Sequence, residues 1–142
     1  SLDRLQGYLE KTQRDAHLIP LILEIDGERA GYFEIYWALE DRLGPYYDVH
    51  AFDRGFHFLI GNNKFLGTQN TQAVVRSLMH FLFLDDPRTS RVVAEPRADN
   101  GLVLRYAQLV PGWKVVKEFD FPHKRAALVM AKREDFFVGG SL

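Results

Sequence analysis

"GFHFLIGNNKFLGTQNTQAVVRSLMHFLFLDDPRTSRVVAEPRADN", Gly55 to Asn100, decides the fold. Phe56 to Ile60 alternates as a strand does: Phe56, Phe58 and Ile60 take one side, His57 and Leu59 the other. Gly61 to Asn70 is a polar loop containing glycine. Thr71 to Leu84 repeats apolar residues at helical spacing, with Val74, Val75, Leu78, Phe81 and Leu82 as the stripe expected to be buried. Asp85-Asp86-Pro87 ends that helix, because proline cannot continue it. Arg91 to Glu95 is a short strand, and Asn100 caps a helix that runs to about Leu109 and stops at Pro111-Gly112. A helix between two strands is a crossover connection, which favours parallel pairing of the His57 and Val92 strands.

Outward from this stretch the pattern becomes that of hairpins. Leu18 to Ile25 and Arg29 to Trp37 are strands joined by Asp26-Gly27, a pair that tolerates the positive φ of a tight turn. In the second of them Tyr32, Glu34 and Tyr36 point one way and Phe33, Ile35 and Trp37 the other. Glu40 to Gly55 is a loop with Gly-Pro punctuation. Trp113 to Phe119 and Arg125 to Lys132 are the last strands, and Leu2 to about Ala16 reads as an amphipathic helix. The order α-β-β-β-α-β-α-β-β predicts one α/β domain over residues 1–142, with a mixed, mostly antiparallel sheet flanked by helices.

Composition narrows the function. The 142 residues are 46% hydrophobic and 26% charged, which suits a soluble folded domain. A net charge of −1 with no strongly basic stretch argues against nucleic acid as a partner. No apolar run approaches the ~20 residues of a membrane span. There is no cysteine, so a cysteine nucleophile, a disulfide and a cysteine zinc site are excluded, and a reducing, cytoplasmic setting is expected. The few serines lie outside any G-x-S-x-G elbow, which leaves direct group transfer as the expected chemistry. His50 lies beside Asp48, but no further ligands stand at metal-site spacing, so no metal is expected.

The loop from Gly61 to Asn70 feeds a helix N-terminus, whose unpaired N–H groups and partial positive charge suit a pyrophosphate. Gly67 lets a ligand approach the backbone closely. Strand, glycine loop, long helix, strand, Asn-capped helix and Pro111-Gly112-Trp113 together resemble the GCN5-related N-acetyltransferase (GNAT) fold. More narrowly, "EIYW" (34–37), "DRGFH" (53–57), "FLFLDDPRTSRVVAEPRADN" (81–100) and "KEFDFPHKRAAL" (117–128) resemble the siderophore-biosynthesis acyltransferases of the N6-hydroxylysine acetyltransferase and mycobactin lysine acyltransferase type. The similarity runs from about Leu18 to Phe137. Its first strand and helix have no counterpart ahead of Leu2, so the fold is expected to lack them.

The resemblance implies an acyl-CoA co-substrate, acetyl-CoA or another, held by Lys64, Phe65, Leu66, Gly67, Thr68, Gln69 and Asn70, with Asn100 touching the pantetheine as well as capping its helix. Of the family's usual Q/R-x-x-G-x-G/A loop only the central glycine is kept, with Lys64 as the basic first residue. His57, in the Gly55-Phe56-His57 context, is implied as the catalytic base; an imidazole, with its ordinary pKa of about 6.5, can serve so near pH 7. Its acidic partner is implied just after the Arg91–Glu95 strand, with Asp99 as candidate and Glu95 in competition. Tyr106 is implied as the acid that protonates the departing thiolate.

Glu34, Tyr36 and Trp37 are the candidates for contacting a hydroxylamine or amine acceptor, with Lys124 and its neighbours His123 and Arg125 suited to a substrate carboxylate. The same resemblance leaves two rivals. One is an aminoglycoside 6'-N-acetyltransferase, with Glu40, Asp41, Asp48 and Asp53 forming an acidic cleft; the other is a non-catalytic CoA-binding fragment.

Overall fold

The structure is a computed structural model that describes residues 17–60 and 68–139, with the backbone alone for Leu59, Ile60, Thr68, Gln69, Tyr106 and Gly139. The expected helix from Leu2 to Ala16 lies outside the described residues. The strands are β1 (Leu18–Ile25), β2 (Glu28–Trp37), β3 (Arg54–Ile60), β4 (Arg91–Ala94), β5 (Trp113–Asp120) and β6 (Arg125–Lys132), and the helices α1 (Thr68–Asp85), α2 (Gly101–Gln108) and α3 (Arg133–Gly139). Among the described residues one sheet holds the six strands in the order β1-β2-β3-β4-β6-β5, with β3 and β4 its only parallel neighbours. A mixed, mostly antiparallel α/β sheet was therefore legible in the crossover and hairpin pattern.

Local chemistry explains the turns. Asp26 and Gly27 have φ of 51° and 78°, which lets the β1–β2 hairpin close in two residues. Gly112 has φ of 79° and ends the turn after α2, where Pro111 has already stopped the helix. Asn100 caps α2, its side-chain oxygen accepting the Val103 N–H at 3.2 Å.

The sheet is packed on both faces. On one, Phe33, Ile35 and Phe56 meet Leu78, Met79, Leu82 and Phe83 of α1, together with Trp113 and Phe136. On the other, Tyr36, Val93, Leu128 and Met130 are covered by Leu43 and Phe121. Cover on both sides makes β2 buried without a break from Ala30 to Tyr36. The α1 stripe differs from the expected one: Phe81 is 46% exposed, while Met79 and Phe83 are fully buried. The buried face of α1 is thus rotated toward 79 and 83, where Phe136 of the unanticipated α3 packs against Phe83 with the rings tilted, 5.5 Å between centres. That packing comes from a distant segment and leaves no periodic trace in α1 itself.

The segment between β2 and β3 is more ordered than a loop. It contains two short 3₁₀ turns, Ala38–Glu40 and Gly44–Tyr46, and is pinned by Asp53. The fully buried Asp53 carboxylate accepts from Tyr47 O–H at 2.8 Å, His50 N–H at 3.0 Å and Arg91 at 2.9 and 2.5 Å. These charge-assisted bonds hold residues 38–53 over the Tyr36 face of the sheet.

Gly55 stands opposite Tyr36 in the β2–β3 ladder, and a Cβ there would collide with the Tyr36 ring. Gly55→Ala is therefore expected to destabilise the fold by about 1–3 kcal/mol, the usual cost of overpacking, read as a lower midpoint in urea unfolding. An unchanged midpoint would mean that the Tyr36 ring does not rest on Gly55.

Candidate active site

β3 and β4 pair for two residues only, Arg54 with Val92 and Gly55 with Val93, and then part. β4 ends at Ala94, and the chain after it turns to β6 instead: Ala127 N–H donates to Pro96 and Ala98 N–H to Arg125, at 2.9 Å each. Beyond Gly55, β3 therefore has no ladder partner on its β4 side among the described residues. The opening leads to a cavity of about 500 Å³ lined mainly by apolar side chains, among them Phe56, Phe58, Val75, Val110, Trp113 and Val129. Its polar lining includes His57, Glu95, Asn100 and Lys124.

His57 stands at the opening. In the ladder it faces Glu34 across from β2, and its Nδ1 lies 3.0 Å from Glu34 Oε2. Its Nε2 lies 2.5 Å from Glu95 Oε1, so the contact crosses the gap between the parted strands. Glu95 is 2% exposed and also accepts the Tyr36 O–H at 2.5 Å; Glu34 accepts the Tyr32 O–H at 2.7 Å. Alternation puts Tyr32, Glu34, Tyr36 and His57 on one face, and β4 delivers Glu95 to the same face two residues after Val93. The result is a hydrogen-bonded chain from Tyr32 through Glu34, His57 and Glu95 to Tyr36.

The charges follow from this geometry. Burial alone would depress the His57 pKa, but the Glu95 and Glu34 carboxylates outweigh it and raise it to about 9. Burial opposes ionisation of Glu95, yet His57, Tyr36 and Lys124 together hold it below the usual carboxylate range. Burial, then the Glu95 charge, pushes the Tyr36 hydroxyl far above its ordinary value, so it remains a donor. With a carboxylate on each ring nitrogen, His57 donates from both and is an imidazolium in the resting site.

The structure departs from several sequence expectations. Glu95, not Asp99, partners His57; Asp99 is exposed and bound to Arg97 at 3.1 Å. Glu95 directly follows Ala94 and keeps the alternation of β4, whereas Asp99 lies four residues on, in the turn after the Arg97 bridge, where alternation no longer aims side chains at His57. Trp37 does not join Glu34 and Tyr36: it faces the other way, beneath Arg54 and against Phe52, as strand alternation requires. Tyr36 is 1% exposed and faces Glu95, so it supports the acid and does not line a surface.

Asn100 is exposed beside the cavity that it lines, and Asn70 is exposed in the first turn of α1, which begins three residues earlier than expected. Lys64, Phe65, Leu66 and Gly67 lie outside the described residues, as do the side chains of Thr68, Gln69 and Tyr106. Among the described residues no group of three or more His, Cys, Asp or Glu could hold a metal ion. Nor is any described helix long and apolar enough to cross a membrane.

Residues 1–121 match the acetyltransferase (GNAT) domain family. The chain is 47% identical over 137 residues to an N(5)-hydroxyornithine:cis-anhydromevalonyl coenzyme A-N(5)-transacylase of Beauveria bassiana, covering 96% of this chain and 30% of that protein. It is 44% identical over 137 residues to an N(6)-hydroxylysine O-acetyltransferase of Escherichia coli, covering 96% of this chain and 43% of that protein. The chain thus spans less than half the length of either relative. Among solved structures, an aminoglycoside acetyltransferase in complex with coenzyme A superposes with a TM-score of 0.82 at 25% identity, over 94% of this chain and 77% of that one. With a fold, a parted β3–β4 pair and a domain match that agree over most of its length, the chain belongs to the GNAT acetyltransferase family.

Proposed function

We propose that the chain carries the active site of an acyl-CoA-dependent N-acyltransferase. It acylates the side-chain hydroxylamine or amine of a lysine-like or diamine acceptor, as in hydroxamate siderophore biosynthesis. The observation that carries this reading is His57, held between two carboxylates at the opening where β3 and β4 part. The hydroxyornithine and hydroxylysine named for the two relatives support the acceptor class, and coenzyme A in the aminoglycoside acetyltransferase structure supports the donor.

The residues fit a pantetheine arm. Such an arm carries amides on an aliphatic chain, so it needs free backbone partners beside an apolar trough. β3 beyond Gly55 offers the first and the cavity the second. Lys64 to Gly67, with Thr68, Gln69 and Asn70 at the start of α1, are assigned to the pyrophosphate, and Asn100 to the pantetheine.

Transfer is direct, in a ternary complex. The acceptor nitrogen attacks the thioester carbonyl carbon and a C–N bond forms. His57 takes the proton released from that nitrogen, and Glu95 stabilises the imidazolium. Backbone N–H groups near the end of β3 hold the oxyanion. The C–S bond then breaks, and the thiolate leaves with a proton supplied by Tyr106. Because His57 has a raised pKa of about 9, it must first give up the proton that it carries at rest.

The aminoglycoside rival fares less well. Its acidic cleft would need Glu40, Asp41, Asp48 and Asp53 open to a polycation, but Asp41 and Asp53 are buried. Asp41 accepts from His17 at 2.7 Å and Asp53 is spent on Tyr47 and Arg91.

Two experiments follow. Thiol release from acetyl-CoA with N6-hydroxylysine is expected to fall at least ~100-fold in His57→Ala, the lower end for loss of a general base; equal rates would remove His57 from the mechanism. In the native chain, kcat/KM is expected to climb with pH and level off above about 9, as the imidazolium is deprotonated. A profile already flat from pH 7 would contradict a base with that pKa.

A further inference from the structure

Both ring nitrogens of His57 meet a carboxylate, yet a base must present a lone pair to the atom that it deprotonates. One nitrogen has to give up its proton and the other has to keep it. The two sides of the ring differ. Nδ1 faces β2, where Glu34 is the direct cross-strand neighbour of His57, and the Glu34 side chain is only 10% exposed. Glu34 is not among the residues that line the cavity. Nε2 faces the gap between the parted strands, and the Glu95 that it meets there lines the cavity together with His57. A molecule in that cavity has a path to Nε2, whereas Nδ1 is turned to the neighbouring strand.

The partners differ in the same sense. Once Nε2 has lost its proton, Glu95 keeps the Tyr36 O–H at 2.5 Å, and the nearby Lys124 ammonium still favours its charge. The N–H and O–H of a hydroxylamine can replace the missing donor between Nε2 and Glu95. On the other side, Tyr32 O–H holds Glu34 Oε1 at 2.7 Å, and Oε2 is left facing Nδ1 at 3.0 Å. Loss of the Nδ1 proton would set this oxygen against a nitrogen lone pair, two acceptors in contact in a buried place. The Tyr36 ring, 5.0 Å from the imidazole between centres, packs beside the ring in this orientation. We infer that Glu34 is a positioning residue: by accepting Nδ1–H it fixes the tautomer of neutral His57, so that Nε2 is the nitrogen that takes the acceptor's proton. Glu34 thus acts through His57 and not as a contact for the acceptor. Before transfer the Nε2 proton leaves to solvent while Nδ1–H stays on Glu34; during transfer the proton of the attacking nitrogen moves to Nε2 and restores the imidazolium. The inference rests on the acyltransfer reading above and names the atom that serves as its base.

Nitrogen-15 NMR of the ring above a pH of about 9, where the imidazole is neutral, tells a protonated from a bare nitrogen. The native chain is expected to show Nδ1 protonated and Nε2 bare. In Glu34→Gln the Tyr32 O–H keeps the amide oxygen, so the amide N–H faces Nδ1 and the ring proton moves to Nε2. Thiol release from acetyl-CoA with N6-hydroxylysine is then expected to fall ~100-fold or more in kcat, the lower end for loss of a general base, with KM for acetyl-CoA unchanged. Glu34→Asp, which keeps a carboxylate, is expected to retain Nδ1 protonation and part of the rate. A native neutral ring protonated on Nε2 overturns the inference, whatever the activity. So does a Glu34→Gln chain with native kcat. No thiol release from a native chain whose Nδ1 carries the proton overturns the acyltransfer reading, while the place of the ring proton stands as inferred.

Discussion

Where β3 and β4 part, an imidazole and two carboxylates bridge the opening. A parallel pair that separates after two residues loses its ladder bonds, and a buried edge without partners is costly unless something else satisfies it. The Glu95–His57 side-chain contact spans the gap, and backbone bonds to β6, Ala127 N–H to Pro96 and Ala98 N–H to Arg125, satisfy the segment continuing from β4. The same opening gives one face of the sheet access to the other. The apolar cavity lies on the α1 and α2 face, with His57, Glu95 and Lys124 at its polar end.

The surroundings of His57 serve that position. Gly55 clears space for the Tyr36 ring, which puts a hydroxyl on Glu95 and fixes the carboxylate. Asp53 pins the segment between β2 and β3 over the Tyr36 face, through Tyr47 and Arg91. A buried carboxylate paired with an imidazolium is worth keeping only if both are well bonded, and Glu95 meets this condition with two short contacts. Two carboxylates on one ring make His57 a stronger base that is mostly protonated at rest, so in the proposed reaction proton loss precedes its action as a base.

Much of this was legible in the sequence because it rests on short-range rules. Strand alternation, the Asp26-Gly27 turn and the Pro87 and Pro111 stops placed nearly every element within a few residues. His57 stood out as a lone histidine in an apolar strand, and its role as a base came from the resemblance carried by Gly55-Phe56-His57. Its partners were harder to read, since Glu34 and Glu95 reach it from strands 23 and 38 positions away. Asp99 looked as suitable as Glu95 in a linear string; the turn at Ala98–Asp99 is what leaves Glu95 alone aimed across the gap. Phe81 was misjudged for the same reason, because α3 decides which side of α1 is covered. The acidic residues of the 40–53 segment looked like a charged cleft because burial and pairing of Asp41 and Asp53 depend on His17 and Arg91, far off in the chain.

The central claim is that His57 is held as a cation between Glu34 and Glu95, and its titration tests this most directly. Nitrogen-15 NMR of the imidazole is predicted to give a pKa of about 9 in the native chain, falling toward the ordinary value of about 6.5 in Glu95→Gln. A native pKa near 6.5, unmoved by Glu95→Gln, would contradict the pairing on which the rest of the account depends.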